Sequence, residues 1–162
     1  MIVIICGVSG SGKTTIGRML SAALRIPFFD ADVFHPPENI EKMASGQALD
    51  DNDRQPWLEE LAVRLPDWQK GGGAVLACSA LKESYRATLE SRCDARLRWV
   101  FLTASEQVLS ARLAARKGHF FARDLLASQL EDLEVPSYGL HVDAGSSPQE
   151  IVATILQGLH SK

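Results

Sequence analysis

Short apolar runs alternate with amphipathic stretches along the chain. Near-continuous apolar runs predict strands at 2–6, 74–78 and 97–102, and shorter candidates lie at 27–29 and 140–143. Continuous apolar strands are typical of a parallel sheet covered on both faces. The stretches between them predict helices at 14–24, 38–44, 53–65, 82–89, 105–117 and 148–159. The alternation predicts an α/β three-layer sandwich: a roughly five-stranded parallel sheet flanked by helices, as one domain over residues 1–162.

Two helix starts carry recognisable capping chemistry. The segment from Ser147 to Glu150 reads Ser-Pro-Gln-Glu, a capping box with proline at the first helical position. Asp53, shortly before Pro56, predicts the beginning of the third helix. The three glycines at 71–73 predict the turn into the third strand.

Composition narrows the class of protein. The 162 residues are 46% hydrophobic and 23% charged, which is near the average for globular domains. The net charge of −3 does not favour a nucleic-acid partner. No apolar run approaches the roughly 18 residues of a membrane span, and the N-terminal apolar run is too short for a signal peptide. Three cysteines without C-x-x-C spacing predict a reduced, cytoplasmic protein.

The segment "GVSGSGKT" at residues 7–14 matches the phosphate-binding pattern G-x-x-x-x-G-K-[ST], and it lies between a predicted strand and a predicted helix. Its glycines let the backbone amides surround phosphate, and the following helix N-terminus favours an anion. Lys13 is expected to reach the β and γ phosphates, and the Thr14 hydroxyl to bind Mg²⁺. The predicted nucleotide site comprises Gly7, Val8, Ser9, Gly10, Ser11, Gly12, Lys13, Thr14 and Thr15.

The only acids that directly follow a predicted strand near this loop are in "FFDAD" at 28–32. Ligands gather at the carboxyl ends of strands in open α/β sheets. Asp30 and Asp32 flank Ala31 and are expected to project from an extended turn, one towards the metal and one towards an acceptor hydroxyl. Asp32 is the predicted metal and acceptor residue, and the role of Asp30 stays open. No N-K-x-D motif of GTPases is present. The combination suits phosphoryl transfer to a small hydroxyl compound.

Several segments together resemble the gluconokinases, small ATP-dependent kinases within the shikimate-kinase and nucleoside-monophosphate-kinase group. They are "GVSGSGKT", "FFDADVFHPPENIEKMASGQALDDNDRQPWL" at 28–58, "ACSALKESYR" at 77–86, "RLAARKGHFF" at 112–121 and, more weakly, "LLASQLEDLE" at 125–134. Ala31 departs from the family, which more often has glycine there, and "EVPSYGL" is shorter than the family's loop.

The resemblance implies transfer of the ATP γ-phosphate to the 6-hydroxyl of D-gluconate, with Mg²⁺ as cofactor. Lys13, Asp32 and Arg116 are then the expected catalytic residues. Asp32 and His35 would hold the acceptor end. Arg54, Lys82 and Arg86 are alternative partners for the gluconate carboxylate, because cations are needed there and arginine binds carboxylates bidentately.

The resemblance also implies a small lid at roughly 116–126. Arg112 and Arg116, four residues apart, would reach ATP phosphates, while His119 and Gln129 would contact substrate or lid. The position of the segment 142–148 after the last predicted strand predicts a loop on the adenine side. The family likeness suggests a homodimer. Two alternatives remain: another small-molecule kinase of this fold, acting on shikimate or a nucleoside monophosphate, or a nucleotide-dependent switch.

Overall fold

A computed structural model of the chain describes residues 1–94, 96–115 and 122–161. The strands are β1 Ile2–Cys6, β2 Phe28–Asp30, β3 Ala74–Ala77, β4 Arg98–Thr103 and β5 Leu140–Asp143. The helices are α1 Lys13–Leu24, α2 Pro37–Ala44, α3 Asp51–Lys70, α4 Glu83–Glu90, α5 Glu106–Ala115, α6 Ala122–Asp132 and α7 Pro148–His160, with a short 3₁₀ helix at Ala31–Phe34.

The five strands form one parallel sheet in the order β2-β3-β1-β4-β5, which confirms the predicted fold class. The central strand β1 pairs with β3 on one side and β4 on the other. The connection after β1 runs to β2 at one edge of the sheet, and the connection after β4 runs to β5 at the other edge. In parallel α/β sheets such a reversal opens a crevice at the carboxyl ends of the strands. The segment after β1 is the predicted phosphate-binding one.

Each face of the sheet carries its own hydrophobic core. Helices α3 and α4 cover one face, where Trp57, Leu61 and Leu89 pack against the side chains of β1, β3 and β4. Helices α1 and α7 cover the other face, where Leu20 and Ile155 are fully buried. A smaller cluster packs Val8, from the segment after β1, against Leu113 of α5 and Leu126 of α6. The third cluster places α5 and α6 beside the phosphate-binding segment.

The structure differs from the prediction at three elements. Helix α3 begins at Asp51, and Asp50 caps it in a capping box with Asp53. The predicted start at Asp53 therefore lies three residues after the capping residue. The extended turn predicted around Ala31 is a 3₁₀ helix. Helix α6 was not predicted as a helix, and the described part of the predicted lid, from Ala122, is its beginning. Among the described helices, none is long and apolar enough to cross a membrane.

Candidate active site

The phosphate loop, residues 7–14, runs from the end of β1 into α1 and has the backbone of an anion cradle. Gly10 and Gly12 have φ values of 83° and 94°, which favour glycine. A Cβ on Gly7 would lie 2.6 Å from Ser11 Oγ and 2.9 Å from the Leu102 carbonyl oxygen, so space also requires glycine there. Glycine at position 7 therefore lets the loop lie close to the Ser11 side chain and to the backbone of β4.

Two further features of the loop fit a phosphate ligand. Helix α1 begins after Gly12 with no side-chain cap and no acid in its first turn, so its N-terminal N–H groups keep their partial positive charge for an anion. The buried Ser11 hydroxyl has no hydrogen-bond partner within the described ranges. A buried polar group without a partner is costly, and a phosphate oxygen would satisfy it.

Lys13 folds back over the loop. Its Nζ donates to the Val8 carbonyl oxygen at 3.0 Å. Burial lowers the pKa of Lys13, and the carboxylate of Asp32 is the strongest of the neighbouring groups that oppose this shift. The ammonium group therefore lies in the electrostatic field of Asp32 at the mouth of the loop.

The two acids after β2 occupy different environments. Asp30 Oδ2 accepts a hydrogen bond from Thr14 Oγ1 at 2.9 Å, and its Oδ1 caps the 3₁₀ helix by accepting from the Asp32 N–H at 3.1 Å. Asp32 opens to solvent, yet partial burial of its carboxylate raises its pKa, as does Asp30, while Lys13 opposes the shift. The sequence paired Thr14 with Asp32 as the metal residues, whereas the acid bonded to Thr14 in the structure is Asp30.

His35 is a buried, neutral imidazole. The Asn39 amide nitrogen donates to the Asp53 carbonyl oxygen at 2.8 Å and lies 3.2 Å from His35 Nδ1. Because that amide nitrogen is a donor, Nδ1 accepts and the proton resides on Nε2. Burial, and then the nearby Arg54, lower the pKa of His35 to about 4. Stacked on Trp57 with ring centroids 4.2 Å apart, His35 is a fixed hydrogen-bond donor rather than a cation.

A group of paired charges lies beside His35, and we call it the charged cluster: Asp51, Arg54, Lys82, Tyr85 and Asp132. Arg54 Nη1 donates to Tyr85 Oη at 3.0 Å and to Asp132 Oδ2 at 3.2 Å. Lys82 Nζ lies 2.9 Å from Asp51 Oδ1 and 3.4 Å from Asp132 Oδ1. Tyr85 also donates a short hydrogen bond to Asp51. The two cations predicted to bind the substrate carboxylate are thus brought together, with two acids between them.

Arg86 has a structural position. It is 1% exposed, and its three nitrogens donate to protein oxygens of Ala80, Leu81, Glu83, Glu134 and Tyr138. These bonds use the donors of the guanidinium group and leave none for a substrate. They also hold Ala80, whose φ of 40° is unusual for a residue with a side chain, in the turn that leads to Lys82. The arrangement does not support the predicted substrate-binding role of Arg86.

Some of the remaining predicted residues contact the phosphate loop, and others lie outside the described residues. Arg112 donates to the carbonyl oxygens of Gly10 and Ala144, and so joins the phosphate loop to the segment after β5. The Ser9 N–H donates to Gln129 Oε1 at 2.7 Å, which makes Gln129 a contact between α6 and the loop. Arg116 and His119 lie outside the described residues.

Sequence reasoning missed Asp51, Tyr85 and Asp132. Asp51 lies in a run of acids whose individual roles no spacing rule separates. Asp132 contacts Arg54 across 78 positions of sequence, and the one available signal was its place three residues after Gln129. This spacing puts both side chains on one face of a helix, but α6 itself was not predicted.

We predict that Arg86→Met destabilises the fold. The change leaves the carbonyl oxygen of Ala80 buried without its donor, and an unsatisfied buried polar group typically costs about 1–3 kcal/mol. The free energy of unfolding, measured with urea, should fall by that amount. Arg64→Met is the matched control, since Arg64 pairs with Glu60 on the exposed side of α3 and should cost less than about 1 kcal/mol. A stable Arg86→Met protein with impaired substrate binding would instead make Arg86 a substrate ligand.

Comparison with known proteins identifies the family. The family model described as shikimate kinase matches residues 9–159. The gluconokinase of Gluconobacter oxydans (strain 621H) is 47% identical over 82% of this chain and 75% of its own length. A probable gluconokinase of Dictyostelium discoideum is 42% identical over 98% of this chain and 86% of its own. The crystal structure of a gluconokinase from Sinorhizobium meliloti 1021 superposes with a TM-score of 0.90 at 42% identity, covering 98% and 91% of the two chains. The chain therefore belongs to the shikimate kinase family and, within it, to the gluconokinase family.

Proposed function

We propose that the protein transfers the γ-phosphate of ATP to the 6-hydroxyl of D-gluconate. The observation that carries the proposal is the hydrogen bond of 2.9 Å between Thr14 of the phosphate loop and Asp30, because it brings the acid pair directly against the phosphate cradle. Arg54 and Lys82 of the charged cluster, which lies beside His35, supply cations for the substrate carboxylate. A phosphate site, an acidic acceptor site and a cationic carboxylate site are the three recognition elements that a sugar-acid kinase needs.

The nucleotide is held by the phosphate loop in this proposal. Its amides, the N-terminus of α1, Lys13 and the Ser11 hydroxyl contact the β and γ phosphates, and Thr15 extends the site along α1. Arg112 lies at the rim, where it also bonds to Ala144 of the predicted adenine-side segment.

Mg²⁺ fits the hydroxyl of Thr14 and the carboxylate of Asp30, with Asp32 within reach through the water shell. Mg²⁺ is usually bound by one or two protein oxygens together with substrate phosphates and water, so this small donor set is suitable. The bound ion would neutralise charge on the phosphates.

Asp32 orients the acceptor hydroxyl and takes its proton. Phosphoryl transfer has a loose transition state, so positioning contributes more than base strength. The raised pKa of Asp32 is compatible with proton acceptance, and the 3₁₀ helix fixes the backbone of Asp32 before substrate binds. The Nε2–H of His35 donates to a hydroxyl of the substrate.

Arg54 and Lys82 hold the gluconate carboxylate, Arg54 as the more buried of the two. Arg116 neutralises charge on the transferring phosphoryl group, and His119 contacts the substrate; both follow from the family likeness. We further propose that the protein is a homodimer. We also propose a cytoplasmic location, for which the reduced thiols of Cys6, Cys78 and Cys93 are suitable.

Substrate dependence tests the activity. ATP consumption in a coupled assay with Mg²⁺ should rise steeply when D-gluconate is added and remain near background with shikimate or AMP. Stimulation by shikimate or AMP instead would favour another small-molecule kinase of this fold. Slow hydrolysis insensitive to all three compounds would favour a nucleotide switch.

The acid pair is tested by two isosteric changes. Asp32→Asn should lower kcat by about 10²–10⁴-fold, the usual contribution of a positioned acid–base group, while ATP binding measured by calorimetry is retained. Asp30→Asn should mainly raise the Mg²⁺ concentration needed for half-maximal rate, since it removes the charge beside Thr14. Near-normal turnover in Asp32→Asn together with a collapse in Asp30→Asn would exchange the two roles.

The proposed carboxylate clamp, formed by Arg54 and Lys82, is tested by measuring substrate affinity. Arg54→Ala and Lys82→Ala should each raise the KM for gluconate by roughly 10- to 150-fold, because a hydrogen bond to a charged group contributes about 1.5–3 kcal/mol. Lys70→Ala is the control, a change at a lysine whose side chain is 81% exposed at the end of α3. Unchanged KM values in both clamp variants would place the carboxylate elsewhere.

A further inference from the structure

One carboxylate of the protein already pairs with both Arg54 and Lys82, the cations proposed to bind the substrate carboxylate. Asp132 Oδ2 lies 3.2 Å from Arg54 Nη1, and Asp132 Oδ1 lies 3.4 Å from Lys82 Nζ. Each oxygen thus faces a different cation, which is how a substrate carboxylate would be shared between them. Arg54 is 9% exposed, whereas the side chains of Lys82 and Asp132 are 24% and 26% exposed, so the contacts are partly shielded from solvent.

The charges of the cluster balance before any ligand is added. Asp51 and Asp132 offset Arg54 and Lys82, so a third carboxylate would leave an uncompensated negative charge in a half-buried site. Such a charge is unfavourable at low effective dielectric. Binding a sugar acid therefore requires one of the two aspartates to move away.

Helix position decides which aspartate moves. Asp51 is the first residue of α3, where the helix dipole favours an acid, and it also accepts hydrogen bonds from Tyr85 and Lys82, which lower its pKa. Asp132 is the last residue of α6, where the dipole disfavours an acid, and the last turn of α6 contains no basic residue. Asp132 is consequently the less firmly held of the two.

We propose that Asp132 is an internal competitor of the substrate carboxylate: it holds Arg54 and Lys82 in the free protein and is displaced when the acid binds. This inference rests on the proposed function. A neutral polyol cannot displace a carboxylate from two cations, so Asp132 makes the site selective for acids over uncharged polyols of the same length. Arg54 keeps Tyr85 and Lys82 keeps Asp51 after the displacement, so both cations remain in position.

The displacement also concerns the phosphate loop. Gln129, three residues before Asp132 on α6, accepts the Ser9 N–H at 2.7 Å. The contacts of Gln129 and Asp132 therefore hold one face of α6 against the phosphate loop and the charged cluster, respectively. Release of Asp132 by the sugar acid loosens one of these two attachments of α6.

Asp132→Asn tests the competitor, because it keeps the shape and removes the charge. With saturating ATP, the KM for gluconate should fall about fivefold, the equivalent of one partly exposed ion pair. The inhibition constant of D-glucitol, which has a CH₂OH group in place of the carboxylate, should not change. Glu131→Gln, which removes the same charge from the exposed neighbouring position of α6, should leave both constants as in the wild type.

An unchanged or higher KM in an active Asp132→Asn protein would overturn the competitor while leaving the proposed function intact. Equal tightening of gluconate and D-glucitol would also overturn it, since that pattern indicates a loosened pocket. Wild-type protein that neither binds nor phosphorylates gluconate would overturn both proposals. If thermal denaturation shows that Asp132→Asn does not fold, Asp132→Ser provides the same comparison.

Discussion

Parallel pairing of β1 with β3 and β4 is the constraint on which the site depends. Because all five strands run in one direction, their carboxyl ends meet at one edge of the sheet. The phosphate loop leaves β1 there, Asp30 ends β2, and the turn to Lys82 follows β3. Residues far apart in sequence thus become neighbours without any long loop, and the cores on the two faces of the sheet keep that edge rigid. Helices α3, α5 and α6 bring Arg54, Arg112 and Gln129 to the site from outside the sheet.

Electrostatic balance governs how the site can work. In the proposed complex, phosphate, a substrate carboxylate and the nearby aspartates must all be accommodated, and each negative charge needs its own compensation. The phosphate loop supplies backbone N–H groups and Lys13, while the charged cluster supplies Arg54 and Lys82. His35 between them is neutral, because burial and Arg54 lower its pKa to about 4, so it separates the two anion sites without adding charge to either. Arg86 contributes a cation to neither site; its contacts hold the turn before Lys82.

Local signals account for what the sequence could predict. Strands β1, β3 and β4 are near-continuous apolar runs, and the phosphate loop is a contiguous motif whose glycines have a direct steric reason, so these were found from neighbouring residues alone. The contact between Thr14 and Asp30 spans 16 positions and depends on the 3₁₀ helix that Asp30 itself caps, so the spacing of the acids could not assign their roles. Arg86 could not be recognised as structural from its helical spacing, because its partners Glu134 and Tyr138 come from the segment after α6. Asp132 was missed because α6 was not predicted as a helix, so its spacing from Gln129 carried no structural meaning.

In the proposed complex, the arrangement of the two anion sites gives a physical reason for phosphorylation at carbon 6. In the proposed complex, Arg54 and Lys82 hold the carboxylate at one end of the six-carbon chain, and Asp32 receives a hydroxyl beside the phosphate loop. His35 is close to both sites: Arg54 lowers its pKa, and its backbone N–H donates to the Asp32 carbonyl oxygen at 3.4 Å. An extended chain held at its carboxylate presents its most distant hydroxyl, the one on carbon 6, to Asp32. A nearer hydroxyl would reach Asp32 only if the carboxylate left the cations, which would forfeit the charge-assisted hydrogen bonds that hold the acid. In that complex, regioselectivity follows from where the two charged sites lie rather than from a pocket shaped around each carbon.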